Sequence, residues 1–167
     1  MRKLLSPIFL VAFFCSFAQE TEENPLSCFD PFVGKTWVVN GEWGDGSKFQ
    51  QELTLEFGLN KKVVIAKTKG FIDQERTQFG DRAHGVRKYN PESKKIEFWE
   101  FDTFGGTTTG EIQVNGKDLW YIYEAYDMTF ADIWEYLDEE TYAFRVVQYE
   151  NGELGDQYLK SAYKLKK

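Results

Sequence analysis

The chain has 167 residues, with 27 acidic against 20 basic side chains and a formal charge of −7. That length suits one domain, and 42% hydrophobic with 28% charged residues excludes a disordered or fibrous chain. An acidic chain without a basic stripe is not expected to bind nucleic acid. Aromatic residues are abundant, with 15 Phe, 9 Tyr and 5 Trp.

Residues 1–18 read as a secretory signal peptide. Arg2 and Lys3 form a positive start, Leu4–Phe14 is an apolar run, and Ser16-Phe17-Ala18 is a small-x-small cleavage site. The expected location is therefore secreted or periplasmic, with cleavage after Ala18. Lipid attachment at Cys15 is disfavoured because Phe13 and Phe14 precede it. The run is shorter than the about 20 apolar residues of a membrane span, and no later segment approaches that length. Residues 19–30 read as a polar leader and 31–167 as the domain. After cleavage Cys28 has no cysteine to pair with, so stability must come from an apolar core.

From Phe32 onward short alternating runs dominate: Thr36–Trp43, Lys48–Phe57, Lys62–Thr68, Ala83–Tyr89, Lys95–Asp102, Thr107–Val114, Leu119–Ala125, Thr141–Tyr149 and Gln157–Leu165. In the second run Phe49, Gln51, Leu53, Leu55 and Phe57 share one face, opposite Lys48, Glu52 and Glu56. A short extra strand is expected near Ile72–Thr77. Tyr126–Leu137 fits either a helical turn or a strand. Gly44-Asp45-Gly46, Asn90-Pro91, Gly105-Gly106, Asn115-Gly116 and Asn151-Gly152 punctuate the runs with residues that tolerate tight reversals. This rhythm predicts an all-β fold, an antiparallel up-and-down β-barrel of about nine or ten strands, with a β-sandwich as the alternative.

Pro31-Phe32-Val33-Gly34-Lys35-Thr36-Trp37 resembles the opening of lipocalin-like (calycin) barrels, although two residues, not one, separate Gly34 from Trp37. Gly85–Pro91 followed by Ile96-Glu97-Phe98-Trp99 is similar to the mid-barrel hairpin of small secreted bacterial lipocalin-like proteins, most of which have no assigned activity. The resemblance implies a Trp packed across the closed end and a late-strand Arg laid over it (Arg145 being the only late Arg); separately, a closed barrel of this size can enclose a ligand cavity. Haem ligation in some relatives uses a late-strand His. His84 lies mid-chain, so no cofactor is expected.

The aromatic load suggests a pocket that holds a partly apolar small molecule, since Tyr and Trp offer an apolar face and one polar handle. Candidate ligand-binding residues are Trp37, Arg87, Tyr89, Trp99, Phe101, Tyr121, Tyr123 and Phe144. The competing reading is that such rings only fill the core. Arg87 shares a face with Ala83, Gly85 and Tyr89, which leaves room for an inward guanidinium needing Glu100 or Glu124 as partner. His84 and Arg82 fall on the opposite, solvent face. Asp127, Asp132, Glu135, Asp138, Glu139 and Glu140 read as a solvated acidic face and not a calcium loop.

No nucleophile elbow, phosphate loop or paired-His metal motif occurs, so neither a catalytic nor a metal residue is assigned. Apolar residues on both faces of Ile96–Phe101 and Leu119–Tyr123 call for a cover. Tyr126–Leu137 is preferred for that role over a homodimer through outward aromatic residues. The leading expectation is reversible binding of a small ligand. A small isomerase or hydrolase using an interior carboxylate, and a protein-interaction module with an outer aromatic patch, are the alternatives.

Overall fold

The computed structural model describes residues 24–167; the expected signal peptide lies outside them. Ten strands follow one another: β1 (Thr36–Glu42), β2 (Lys48–Gly58), β3 (Val63–Phe71), β4 (Phe79–Asn90), β5 (Lys95–Asp102), β6 (Thr107–Asn115), β7 (Asp118–Ala125), β8 (Met128–Asp138), β9 (Thr141–Glu150) and β10 (Glu153–Leu165). Each pairs antiparallel with its neighbours in sequence. β1 closes on β10 through Trp37↔Leu165 and Val38↔Lys164, so the sheet is a closed up-and-down barrel and not a sandwich. Closure removes both unpaired edges.

Period-two patterning fixes which residues enter the barrel. In β2, Leu53 and Leu55 are buried, while Glu52 and Glu56 on the other face pair with Lys166 and Lys67. A one-residue slip would exchange those faces, so the pattern sets the register. The turns follow the expected chemistry: Asn151 and Gly152 both have positive φ, 51° and 88°, as a two-residue hairpin requires.

Two segments differ from the sequence reading. Ile72–Thr77 is a loop and not a strand. The Asp73 carboxylate accepts the backbone N–H groups of Thr77 and Gln78 there, offering the backbone a partner other than a strand ladder. Tyr126–Leu137 does not cover the barrel; it supplies β8, a strand of the wall. Its turn was hard to read because the left-handed residues are Tyr126 (φ 52°) and Asp127 (φ 59°), with no Gly or Asn. Outward Ala131 and Ile133 of β8 pack with Ile122 and Val147, against the rings of Trp120 and Tyr149. Neighbouring side chains of the wall thus supply packing for the second apolar face.

One end of the barrel is plugged. A 3-10 turn, Ser27–Phe29, brings Leu26 and Phe29 into the core with Phe32 and Trp37, each no more than 2% exposed. Leu26 and Phe29, from the segment read as a polar leader, thus pack with the barrel core. Phe32 lies 4.5 Å from Tyr142, 5.4 Å from Trp37 and 5.7 Å from Trp134, centroid to centroid. These are tilted and edge contacts of the kind aromatic rings prefer. Arg145 does not lie over Trp37: it faces outward and pairs with Glu135 at 2.6 Å. The cation nearest the indole is instead Lys35, whose Nζ lies 6.0 Å from the ring centroid. Among the described residues no helix is long and apolar enough to cross a membrane.

Candidate functional site: a small polar chamber in an aromatic wall

Above the plug the barrel is hollow. A cavity of about 200 Å³ is lined by aromatic and aliphatic side chains, including Phe49, Leu53, Phe98, Trp134, Phe144 and Val146. Arg87, Glu100, Tyr121, Tyr123, Asp132, Thr68 and Gln51 add polar groups to the same wall. Trp43, Phe49 and Gln51 also border a second hollow at the opposite end from the plug, among the loops that join β1 to β2 and β3 to β4. That end is the mouth.

β4 positions the guanidinium. Ala83, Gly85 and Arg87 alternate inward, and a Cβ at position 85 would overlap Arg87 Nη1. Gly85 is thus the space into which the guanidinium folds. Cross-strand pairing sets Gly85 beside Glu100, and Arg87 Nη2 donates to Glu100 Oε2 at 2.8 Å. Arg87 Nε approaches the Tyr121 hydroxyl at 3.5 Å, and Nη1 is buried without a partner. Of the two carboxylates offered by the sequence, Glu100 is the partner; Glu124 is exposed on the outer face.

β8 supplies the second polar centre. Phe130, Asp132 and Trp134 point inward on alternate positions, and Asp132 sits between Tyr121 of β7 and Val146 of β9 in the ladder. The Tyr123 hydroxyl donates to Asp132 Oδ1 at 3.0 Å. Burial pushes the Asp132 carboxyl up to about 7 against the lowering effect of that bond, and the charge on Glu100 pushes the same way. Burial, reinforced by Asp132, likewise moves the Tyr123 phenol far up, so it stays a neutral donor. Tyr163, whose phenol is also raised by burial, donates to Gln51 Oε1 at 2.5 Å.

Of the eight expected ligand-binding residues, the structure brings Arg87, Tyr121, Tyr123 and Phe144 to the chamber. Trp37 and Tyr89 are interior but belong to the plugged end: Trp37 is fully buried and Tyr89 packs against the core there. Trp99 and Phe101 face outward. They alternate with inward Phe98 and Glu100, and Phe101 is 52% exposed. β5 carries rings on both faces, so composition does not show which side is inside. His84 is on the outer face, as expected. Arg82 is not: a β-bulge after Thr68 sets Asp81 and Ala83 against consecutive residues of β3, so the extra residue, Arg82, swings to the mouth beside Gly70. Bulges re-aim side chains in this way.

The residue that sequence reasoning missed is Asp132, assigned to a solvated acidic face. The usable signal was its spacing from Phe130 and Trp134, which share its side of the strand. Among the described residues, no group of three or more His, Cys, Asp or Glu side chains is placed to hold a metal ion.

No family model matches the chain, and no curated protein matches it. Among solved structures it is similar to a redesigned β-barrel, at 10% sequence identity and a TM-score of 0.44, over 84% of this chain and 96% of that one.

Proposed function

We propose that the protein is a secreted, lipocalin-like carrier that binds a small, partly apolar molecule reversibly in the barrel. The observation that carries this reading is the hollow itself: polar groups on an aromatic wall, above a solid plug and below a mouth. A closed barrel that only needed stability would fill this space with side chains, because packing to native density is favourable. Burying Arg87 and half-burying Glu100 and Asp132 in such a core adds desolvation cost without need.

Size narrows the ligand. A dry cavity of about 150 Å³ already admits benzene. The chamber of about 200 Å³ therefore suits a molecule built on one small ring or a short chain, below the range of about 300–1,000 Å³ used by drug-sized ligands. Apolar burial supplies most of the affinity, and the polar groups orient the occupant.

A thermal-shift panel of small lipids and metabolites, run on wild type and on Thr68→Phe, tests the reading. Thr68 is 5% exposed and lines the chamber, so the Phe ring occupies the ligand's space. The carrier reading expects compounds that raise the wild-type Tm and leave the folded Thr68→Phe protein unmoved. A panel without any shift, or shifts that persist in Thr68→Phe, contradicts it. Thr108→Phe, on another part of the wall, serves if Thr68→Phe does not fold.

One observation favours a second reading, an enzyme using an interior carboxylate. The Asp132 carboxyl is pushed up to about 7 beside a phenol donor, which suits proton transfer near neutral pH. Turnover of any panel compound that Asp132→Asn abolishes would move the assignment there.

A further inference from the structure

We propose that the chamber takes a small monocationic amine carried on a single apolar ring, its ammonium group set against Asp132 and its ring against the aromatic wall. This deepens the carrier reading and rests on it.

Arg87, Glu100 and Asp132 are the groups lining the chamber that can carry a full charge. Arg87 and Glu100 neutralise one another at 2.8 Å. Asp132 then faces a phenol, Tyr123, and forms no ion pair with any described Lys, Arg or His. Two carboxylates against one guanidinium leave the chamber one positive charge short whenever Asp132 is ionised.

A half-buried carboxylate without a cation is still poorly solvated, and either a proton or a cation lowers the cost. An ammonium group does so with three donors. Several rings line the same wall, among them Trp43, Phe49, Trp134 and Phe144, and a ring face attracts a desolvated cation further. A ligand carboxylate would meet Glu100 and Asp132 as like charges and, although Arg87 Nη1 is a free donor, find the guanidinium's charge already balanced by Glu100. A neutral hydroxyl would gain a hydrogen bond but leave the charge deficit in place.

The other groups around Asp132 do not supply the missing charge. Tyr121 and Tyr123 come from β7, and Tyr163 of β10 donates to Gln51 of β2. Glu100 of β5 adds repulsion, Arg87 of β4 is spent on Glu100, and the β9 neighbours are Val146 and Phe144. At the mouth Lys48, Arg76 and Arg82 stand with Asp73, and Arg82 lies 3.7 Å from Asp102. Those charges stand at the rim, away from the half-buried Asp132 inside the chamber.

The test is a calorimetric titration of the whole folded protein with three probes sharing one ring: benzylamine, benzyl alcohol and phenylacetate. At pH 8 benzylamine should bind at least about tenfold more tightly than benzyl alcohol, with phenylacetate weakest. Between pH 8 and 5.5 the ammonium group stays charged while Asp132 takes up a proton, so amine affinity should fall about 30-fold for a carboxyl titrating at about 7. Benzyl alcohol should change little. Asp132→Asn keeps an oxygen for the Tyr123 hydroxyl; it should remove both the amine's advantage and its pH dependence, with circular dichroism and thermal unfolding confirming the fold.

Alcohol or phenylacetate binding as tightly as the amine overturns the inference. So does amine binding that neither pH nor Asp132→Asn alters. If none of the three binds but the wider panel yields a chamber ligand, the amine class falls and the carrier reading stands. If nothing binds in either experiment, both fall.

Discussion

Glu100→Leu and Arg87→Met remove the same ion pair, yet they should cost unequal amounts of stability. The Arg87 side chain is 5% exposed and that of Glu100 is 31% exposed. Without Glu100 the guanidinium stays in the wall, with the Tyr121 hydroxyl at 3.5 Å as its nearest remaining acceptor. Breaking a buried pair in this way costs about 3–5 kcal/mol. Without Arg87, the carboxylate of Glu100 keeps contact with solvent, and the loss should be about 1–2 kcal/mol. At roughly 2–4 °C per kcal/mol for a domain of this size, Tm should fall by about 6–20 °C in the first variant and about 2–8 °C in the second. The double variant should cost much less than the two singles added, because it strands neither charge. Urea unfolding at pH 7.5, with unchanged m-values, measures all three. An Arg87→Met loss equal to or above that of Glu100→Leu, or strictly additive losses, would refute the buried, mutually neutralised pair.

Three more outcomes follow from the same geometry. Trp37→Ala empties the plug beneath Phe32 and Tyr142 and should cost about 3–5 kcal/mol in urea unfolding; a loss under about 1 kcal/mol would place the indole outside the core. The Asp132 carboxyl titrates at about 7 when folded, above its ordinary 3.8. The folded state therefore binds more protons between those values, and stability falls as pH rises from about 4 to about 7. Asp132→Asn should then be more stable than wild type by a few kcal/mol at pH 7.5 and by little at pH 4, and an equal difference at both pH values contradicts that environment. Finally, Trp99→Ser and Phe101→Ser, both on the outer face, should leave the affinity of any chamber ligand unchanged in titration; a tenfold loss would place those rings inside.

The barrel was legible because hairpin turns and period-two alternation are local signals. Lys48–Phe57 and Asn151-Gly152 each declare their structure within a few residues. Arg87 was legible as an inward residue because Gly85 beside it is too small to fill the wall, and its partner Glu100 follows from the hairpin register. What could not be read depends on neighbours distant in sequence. β8 is apolar on both faces because its outer residues pack under Trp120 and Tyr149, so its pattern resembled neither a strand nor a helix cleanly. Asp132 was hidden among acids that do face solvent, since only closure of the barrel shows that β8 aims it inward. Arg82 changed sides through a bulge, a single extra residue that parity counting cannot anticipate. Trp99 and Phe101 were misplaced because β5 carries rings on both sides.

Native mass spectrometry of the protein purified from the cells that make it is the decisive measurement for a carrier. A reproducible added mass is expected, of a molecule no larger than about one small ring with its substituents, present in wild type and missing from Thr68→Phe. Wild-type protein recovered bare in every preparation, with the small-molecule panel also failing to raise its Tm, would contradict a carrier role for the chamber.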